Sequence, residues 1–143
     1  MDGFAGYFQS LVGKWTVART ISDGSAFKGD AVFERKTGKQ LLLTESGTLE
    51  LATGASVFAT RAWVWHLVSG MVLDINYDET PLRPYHHLKI EPEGAGLWQA
   101  AASHLCGDDT YDGHYTFSDG RIVVDHTVRG PKKDYSMRTV YLA

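Results

Sequence analysis

One cysteine among 143 residues, Cys106, has no thiol partner, so no intramolecular disulfide can brace the fold. Long apolar runs are missing as well. No stretch approaches the roughly 18 residues that a membrane helix needs, and no membrane partner is expected. The opening "MDGFAGYFQSLVGKW" has neither a basic n-region nor a sustained apolar segment, the two parts of a secretory signal, so the expected compartment is cytoplasmic. Concentrated positive charge is equally scarce. The net charge is −3, and the one basic cluster, Lys132-Lys133 with Arg129 nearby, runs directly into Asp134 as a solvated turn would. A face that neutralises phosphates needs far more, which excludes nucleic acid as a main partner. The histidines at 66, 86, 87, 104, 114 and 126 show neither H-x-H nor H-E-x-x-H spacing, so no metal site is expected. A Gly-rich phosphate loop and a G-x-S-x-G turn are also lacking, which leaves nucleotide hydrolysis and serine-esterase chemistry without support.

What is present is alternation. With 43% hydrophobic and 22% charged residues, the chain can bury one core as one domain, residues 1–143. Segments such as "KWTVART" (14–20) and "AFKGDAVFER" (26–35) place apolar residues at every second position, as half-buried strands do. Further candidates at 39–51, 55–68, 71–77, 85–91, 97–106, 113–117, 121–128 and 134–142 are separated by turn signals such as Ser69-Gly70, Asp119-Gly120 and Gly130-Pro131. That predicts nine or ten strands and one short helix over about residues 3–12, where Phe4, Tyr7, Phe8 and Leu11 fall at helical spacing. A run of hairpins removes its exposed edges most cheaply by closing on itself. The expected fold is all-β, a closed antiparallel up-and-down barrel with a short N-terminal helix.

Gly13-Lys14-Trp15, opening the first strand after a short helix, resembles the G-x-W entry of calycin barrels, the lipocalins and fatty-acid-binding proteins. In that superfamily the tryptophan packs across the closed end near an arginine of the last strand, which the resemblance assigns to Arg138 as a cation–π partner of Trp15. More of the chain resembles an uncharacterised calycin-like family, domain of unknown function 6314. The resemblance begins at Leu11, Gly13, Trp15 and Arg19 and passes through Glu45, Gly47, Arg61, Trp63 and Trp65. It continues with H-x-C-x-x-D-x-Y-x-G (His104, Cys106, Asp109, Tyr111, Gly113) and G-P-x-K-D-Y (Gly130, Pro131, Lys133, Asp134, Tyr135). The chain departs from the pattern at His126, where an aromatic residue is expected, and over "DINYDETPLRPYHH" (74–87). The family carries no established activity, so the resemblance implies a fold and little else.

Strand parity then locates a site. On the faces that carry the apolar residues lie Arg19 with Trp15 and Val17, Glu45 with Leu41 and Leu43, Arg61 with Trp63 and Trp65, and His104 and Cys106 with Trp98. Tyr111 and Tyr115 follow at even spacing. Charges inside a barrel must pair or meet a ligand, because an isolated buried charge costs several kcal/mol. Two readings remain open: Glu45 paired with Arg19 or Arg61 as a plug, or a surplus arginine that completes itself with a bound anion. The second makes the lumen a binding site for a small, partly aromatic anionic ligand, with Arg19, Glu45, Arg61, Trp63, Trp65, Trp98, His104, Cys106 and Tyr111 as ligand-binding residues. An alternative is an isomerase, cyclase or lyase using His104 as acid/base with Tyr111 or Glu45 assisting. A third is haem held by His86, His104 or His126, by analogy of fold alone. No resident cofactor is expected, and a homodimer is left open. Cys106 reads as a small buried hydrophobe, Asp108, Asp109 and Asp112 as turn formers, and Tyr85-His86-His87 as a strand with one histidine in and one out.

Overall fold

Trp15, Val17 and Arg19 are buried along β1 (Gly13–Ile21) while Lys14, Thr16 and Ala18 meet water, and the same alternation builds the rest of the molecule. The structure, a computed structural model, describes residues 3–143. A helix, α1 (Gly3–Ser10), precedes eleven strands in all. After β1 come β2 (Ala26–Thr37), β3 (Gln40–Glu50), β4 (Ser56–Ser69), β5 (Val72–Tyr77), β6 (Arg83–Lys89), β7 (Glu91–Gly94), β8 (Leu97–Cys106), β9 (Asp109–Ser118), β10 (Arg121–Gly130) and β11 (Lys133–Leu142). The count exceeds nine or ten because β7 is a four-residue edge piece, too short to show a period.

All ladders are antiparallel and join strands that follow one another, except that β1 also pairs with β11. The order β6-β5-β4-β3-β2-β1-β11-β10-β9-β8-β7 wraps into a barrel that is nearly, not fully, closed. β6 and β8 lie side by side with no ladder between them. A side chain bridges that seam. His86 on β6 donates from Nε2 to the carbonyl oxygen of Tyr111 (3.0 Å) and accepts at Nδ1 from the Tyr115 hydroxyl (2.7 Å), both on β9. Gly113 leaves room for it: a Cβ there would stand 2.6 Å from the His86 ring. As strand geometry requires, His87 points the other way, outward to Asp74.

α1 caps one end. Phe4 and Phe8 are fully buried, Phe4 stacks edge-on against Phe117 (5.2 Å between centroids), and Tyr7 tilts over Trp98 (5.0 Å). Trp15 lies in this end too, its indole N–H donating to the Leu11 carbonyl at 2.9 Å. The Arg138 assignment is overturned. Arg138 pairs with Thr20, on the outward parity of both strands, and its exposed guanidinium binds Asp125. Trp15 packs on Phe33 instead, 5.7 Å away edge-on.

Candidate ligand pocket

The end opposite α1 is hollow. A cavity of about 710 Å³ opens there, floored by Trp65, Ile75 and Val124 and walled by Trp63, Tyr77, Tyr85, Tyr111 and Tyr135. That volume falls within the range of small-molecule sites. Tyr85 reaches it through a β-bulge: Ile75 pairs with His86 and Asn76 with Pro84, so Tyr85 is the extra residue, and the kink turns its ring inward. Burial pushes the Tyr85 hydroxyl well above the usual tyrosine pKa.

Two arginines reach the cavity and their partners differ. Arg19, 9% exposed, donates through Nη2 to both oxygens of Glu45 (2.9 and 3.1 Å) and through Nε to Thr139 Oγ1 at 2.8 Å. Glu45 is 0% exposed and takes a further hydrogen bond from the Tyr141 hydroxyl. Burial, then the negative charge of Glu45, raises the Tyr141 pKa well above normal, so it stays a donor. Arg61 stands directly across the ladder from Glu45, yet that carboxylate is turned to Arg19. Among the described residues Arg61 has no carboxylate partner; its guanidinium sits over the Trp63 ring, 5.6 Å from the centroid. The other ionic groups on the lining are engaged in different ways, and Asp23 keeps its negative charge. Arg83 binds Glu79 and stacks 3.6 Å above Tyr77, and Asp23 is held by Ser25.

Of the residues that parity selected, Arg19, Arg61, Trp63, Trp65, Cys106 and Tyr111 line the cavity. Glu45 lies beneath it, sealed by its own partners. Trp98 is on the inner face but at the far end against Phe4 and Tyr7, because β8 starts there, opposite Phe117. His104 stands behind the wall, 5.2 Å from the Tyr85 ring, and is not a lining residue. Cys106 is exposed rather than buried, since β8 ends at the rim beyond the packed layers. The turn that follows, Gly107-Asp108, needs the positive φ of 61° at Gly107. Asp109 does more than shape it: Lys133 bridges Asp109 (3.2 Å) and the Tyr111 hydroxyl (2.8 Å), so this lysine is not a free surface charge.

These contacts bear on the acid/base candidates. Glu45 has both oxygens engaged, Tyr111 is held by Lys133, and His104 is screened by Tyr85. For haem, His86 has no free ring nitrogen and His104 is off the lining, which leaves only His126 of the three histidines considered. No group of three or more His, Cys, Asp or Glu side chains able to hold a metal occurs among the described residues, and no helix among them is long and apolar enough to cross a membrane. The lining residues that the sequence did not single out include Tyr77, Tyr135, Met137, Thr139 and Tyr141. Applying the same parity to β11 would have found the last four.

The family of unknown function DUF6314 matches residues 11–143. The chain belongs to this family. No curated protein matches it in sequence. Among solved structures, this member of DUF6314 is similar in fold to the S-type phycobiliprotein lyase CPES from Guillardia theta, with a TM-score of 0.66 at 8% identity over 99% of this chain and 92% of the other. It is also similar to EF1p2_mFAP2b bound to DFHBI (TM-score 0.53, 15% identity, 96% and 97% covered) and to a redesigned β-barrel, mFAP1, bound to DFHBI (TM-score 0.51, 14% identity, 94% and 96% covered). At such identities the likeness is one of fold.

Proposed function

We propose that this calycin-like barrel is a binding protein for a small, partly aromatic anion held in the open-end cavity. The observation that carries the reading is Arg61, a guanidinium at an aromatic-lined cavity of about 710 Å³ with no carboxylate partner among the described residues. The floor is already neutral, because Arg19 is matched by Glu45. Arg61, exposed at the mouth, is the one lining arginine without a carboxylate partner among the described residues, and a ligand anion can pair with it. Trp63, Tyr77 and Tyr85 lie within 5.3 Å of one another, centroid to centroid, and offer flat faces to a ring system. That two similarly folded proteins are bound to DFHBI supports a binding role for such a barrel.

Arg61→Met tests this directly. Methionine keeps apolar bulk and strands no buried partner, so a urea melt should move by less than about 1 kcal/mol. Affinity for anthracene-2-carboxylate, a planar aromatic anion, should fall about tenfold or more by calorimetry, as for a lost charge-assisted hydrogen bond of ~1.5–3 kcal/mol. Arg61→Lys should recover only part of it, since an ammonium cannot match two carboxylate oxygens at once. Unchanged affinity in Arg61→Met would remove the anion from the proposal.

A further inference from the structure

His126 lines the same cavity on the inner face of β10. Its ring is packed among three others: His86 at 5.9 Å, Tyr85 at 6.2 Å and Tyr115 at 6.3 Å between centroids. His126 Nδ1 is enclosed and has no hydrogen-bond partner, whereas Nε2 is not enclosed. The protons of the adjacent network are directed elsewhere. The Tyr115 hydroxyl proton goes to His86 Nδ1, and the His86 Nε2 proton goes to the Tyr111 carbonyl.

A neutral imidazole carries one proton and must place it on one of two nitrogens. An enclosed N–H with no acceptor is the costlier of the two orphans; a bare lone pair is tolerated more often. The proton therefore belongs on Nε2, the nitrogen with access to the cavity. Burial, with His86, Arg19 and Arg61 nearby, pushes the His126 pKa down to about 4, so near neutral pH the ring is an uncharged donor. The cavity thus presents two kinds of donor: a charged fork at Arg61 and a neutral N–H at His126.

We infer that His126 is a specificity-determining residue, and that the ligand is an aromatic anion carrying a second, uncharged hydrogen-bond acceptor, a carbonyl or ring nitrogen, which His126 Nε2–H reads. This rests on the proposed binding of an aromatic anion at Arg61 and adds the chemistry of the ligand's other polar end. An aromatic acid without that acceptor leaves the N–H unsatisfied when it displaces water, and is discriminated against for that reason.

The test compares anthracene-2-carboxylate with anthraquinone-2-carboxylate, which have the same ring framework and acid but differ in two ring carbonyls. By calorimetry at neutral pH the wild type should bind the quinone about 3–10-fold more tightly, the worth of one neutral hydrogen bond. His126→Phe, which has no donor, should abolish that preference, because the penalty on anthracene-2-carboxylate and the hydrogen bond to the quinone are lost together. Arg61→Met should weaken both compounds alike. A preference that survives His126→Phe, or no preference in the wild type, overturns the inference and leaves the Arg61 reading standing. If neither compound binds the wild type, or Arg61→Met weakens neither, the Arg61 reading fails and this one with it. Should His126→Phe not fold, nitrogen-15 NMR of the wild-type imidazoles decides. A neutral ring protonated at Nε2 is expected; protonation at Nδ1, or a charged ring at pH 7, overturns the assignment.

Discussion

Replacing Arg19 with methionine should destabilise the protein by about 3–5 kcal/mol, the cost of breaking a buried ion pair from one side. Glu45 is fully buried, and besides Arg19 it keeps only the Tyr141 hydroxyl. Without the guanidinium the nearest cation is Arg61, which is turned to Trp63, and β3 offers only the buried Leu41 and Leu43 on the same face. Thr139 loses its donor in the same step. A chemical-denaturant melt reads the loss, and Arg19→Met combined with Glu45→Gln should recover most of it, because glutamine carries no charge and still accepts from Tyr141. A single variant within about 1 kcal/mol of the wild type would mean that Glu45 finds water or another cation. The contrast with Arg61→Met is the informative part. Both arginines were assigned to the lumen on the same parity, yet one pairs with a buried carboxylate and the other has no carboxylate partner among the described residues.

The second large effect is expected at Gly47. It faces Gly29 across the β2–β3 ladder, and a methyl group at position 47 would stand 2.6 Å from the Gly29 Cα and collide with the Lys28 carbonyl oxygen. A methyl at position 29 meets the mirror arrangement, 2.7 Å from the Gly47 Cα. Both obstacles are backbone, which cannot rotate aside as a side chain would. Gly47→Ala must force β2 and β3 apart in mid-ladder, where neighbouring ladders on both sides resist. The loss should be about 3 kcal/mol or more, at the upper end of overpacking costs, and visible as a lowered melting midpoint. Gly38, in the β2–β3 turn, is the control: a Cβ there meets nothing within 4 Å.

Alternation made the inner face legible, because a strand residue has only two sides to choose from. It placed the buried Arg19, Glu45 and Trp65 on the inner side, and Arg61, although exposed, on the cavity lining. It carries no information about height along the barrel axis. Trp98 therefore read as a pocket residue although it packs on α1, and Cys106 read as buried although it sits on the rim. Parity also fails wherever a strand gains a residue. Tyr85 and His86 are neighbours in sequence and both face inward, which only the bulge permits. Arg138 shows the opposite limit. It was assigned by resemblance to the calycin pattern, whereas the parity of Tyr135, Met137, Thr139 and Tyr141 sets it outside. Which of two arginines would claim Glu45 depended on side-chain reach across β1, β2 and β3, beyond any pairwise reading of the sequence.

The ladder between β1 and β11 has a kinetic consequence. Nine of the ten ladders join consecutive strands and can form as local hairpins, whereas Thr16 and Leu142, register partners in the tenth, are 126 residues apart. Closing a loop of that length from an open chain costs about 3 kcal/mol more than closing a hairpin, some five doublings of loop length at ~0.6 kcal/mol each. The cost shrinks only as the intervening hairpins zip and draw the first and last strands together. β1–β11 pairing is thus the step that waits for the others, and until it is made the chain is two meanders, β1 to β6 and β7 to β11, each with an uncovered edge. The outcome of folding is decided there, in a race between those two edges meeting each other and either one meeting a second chain.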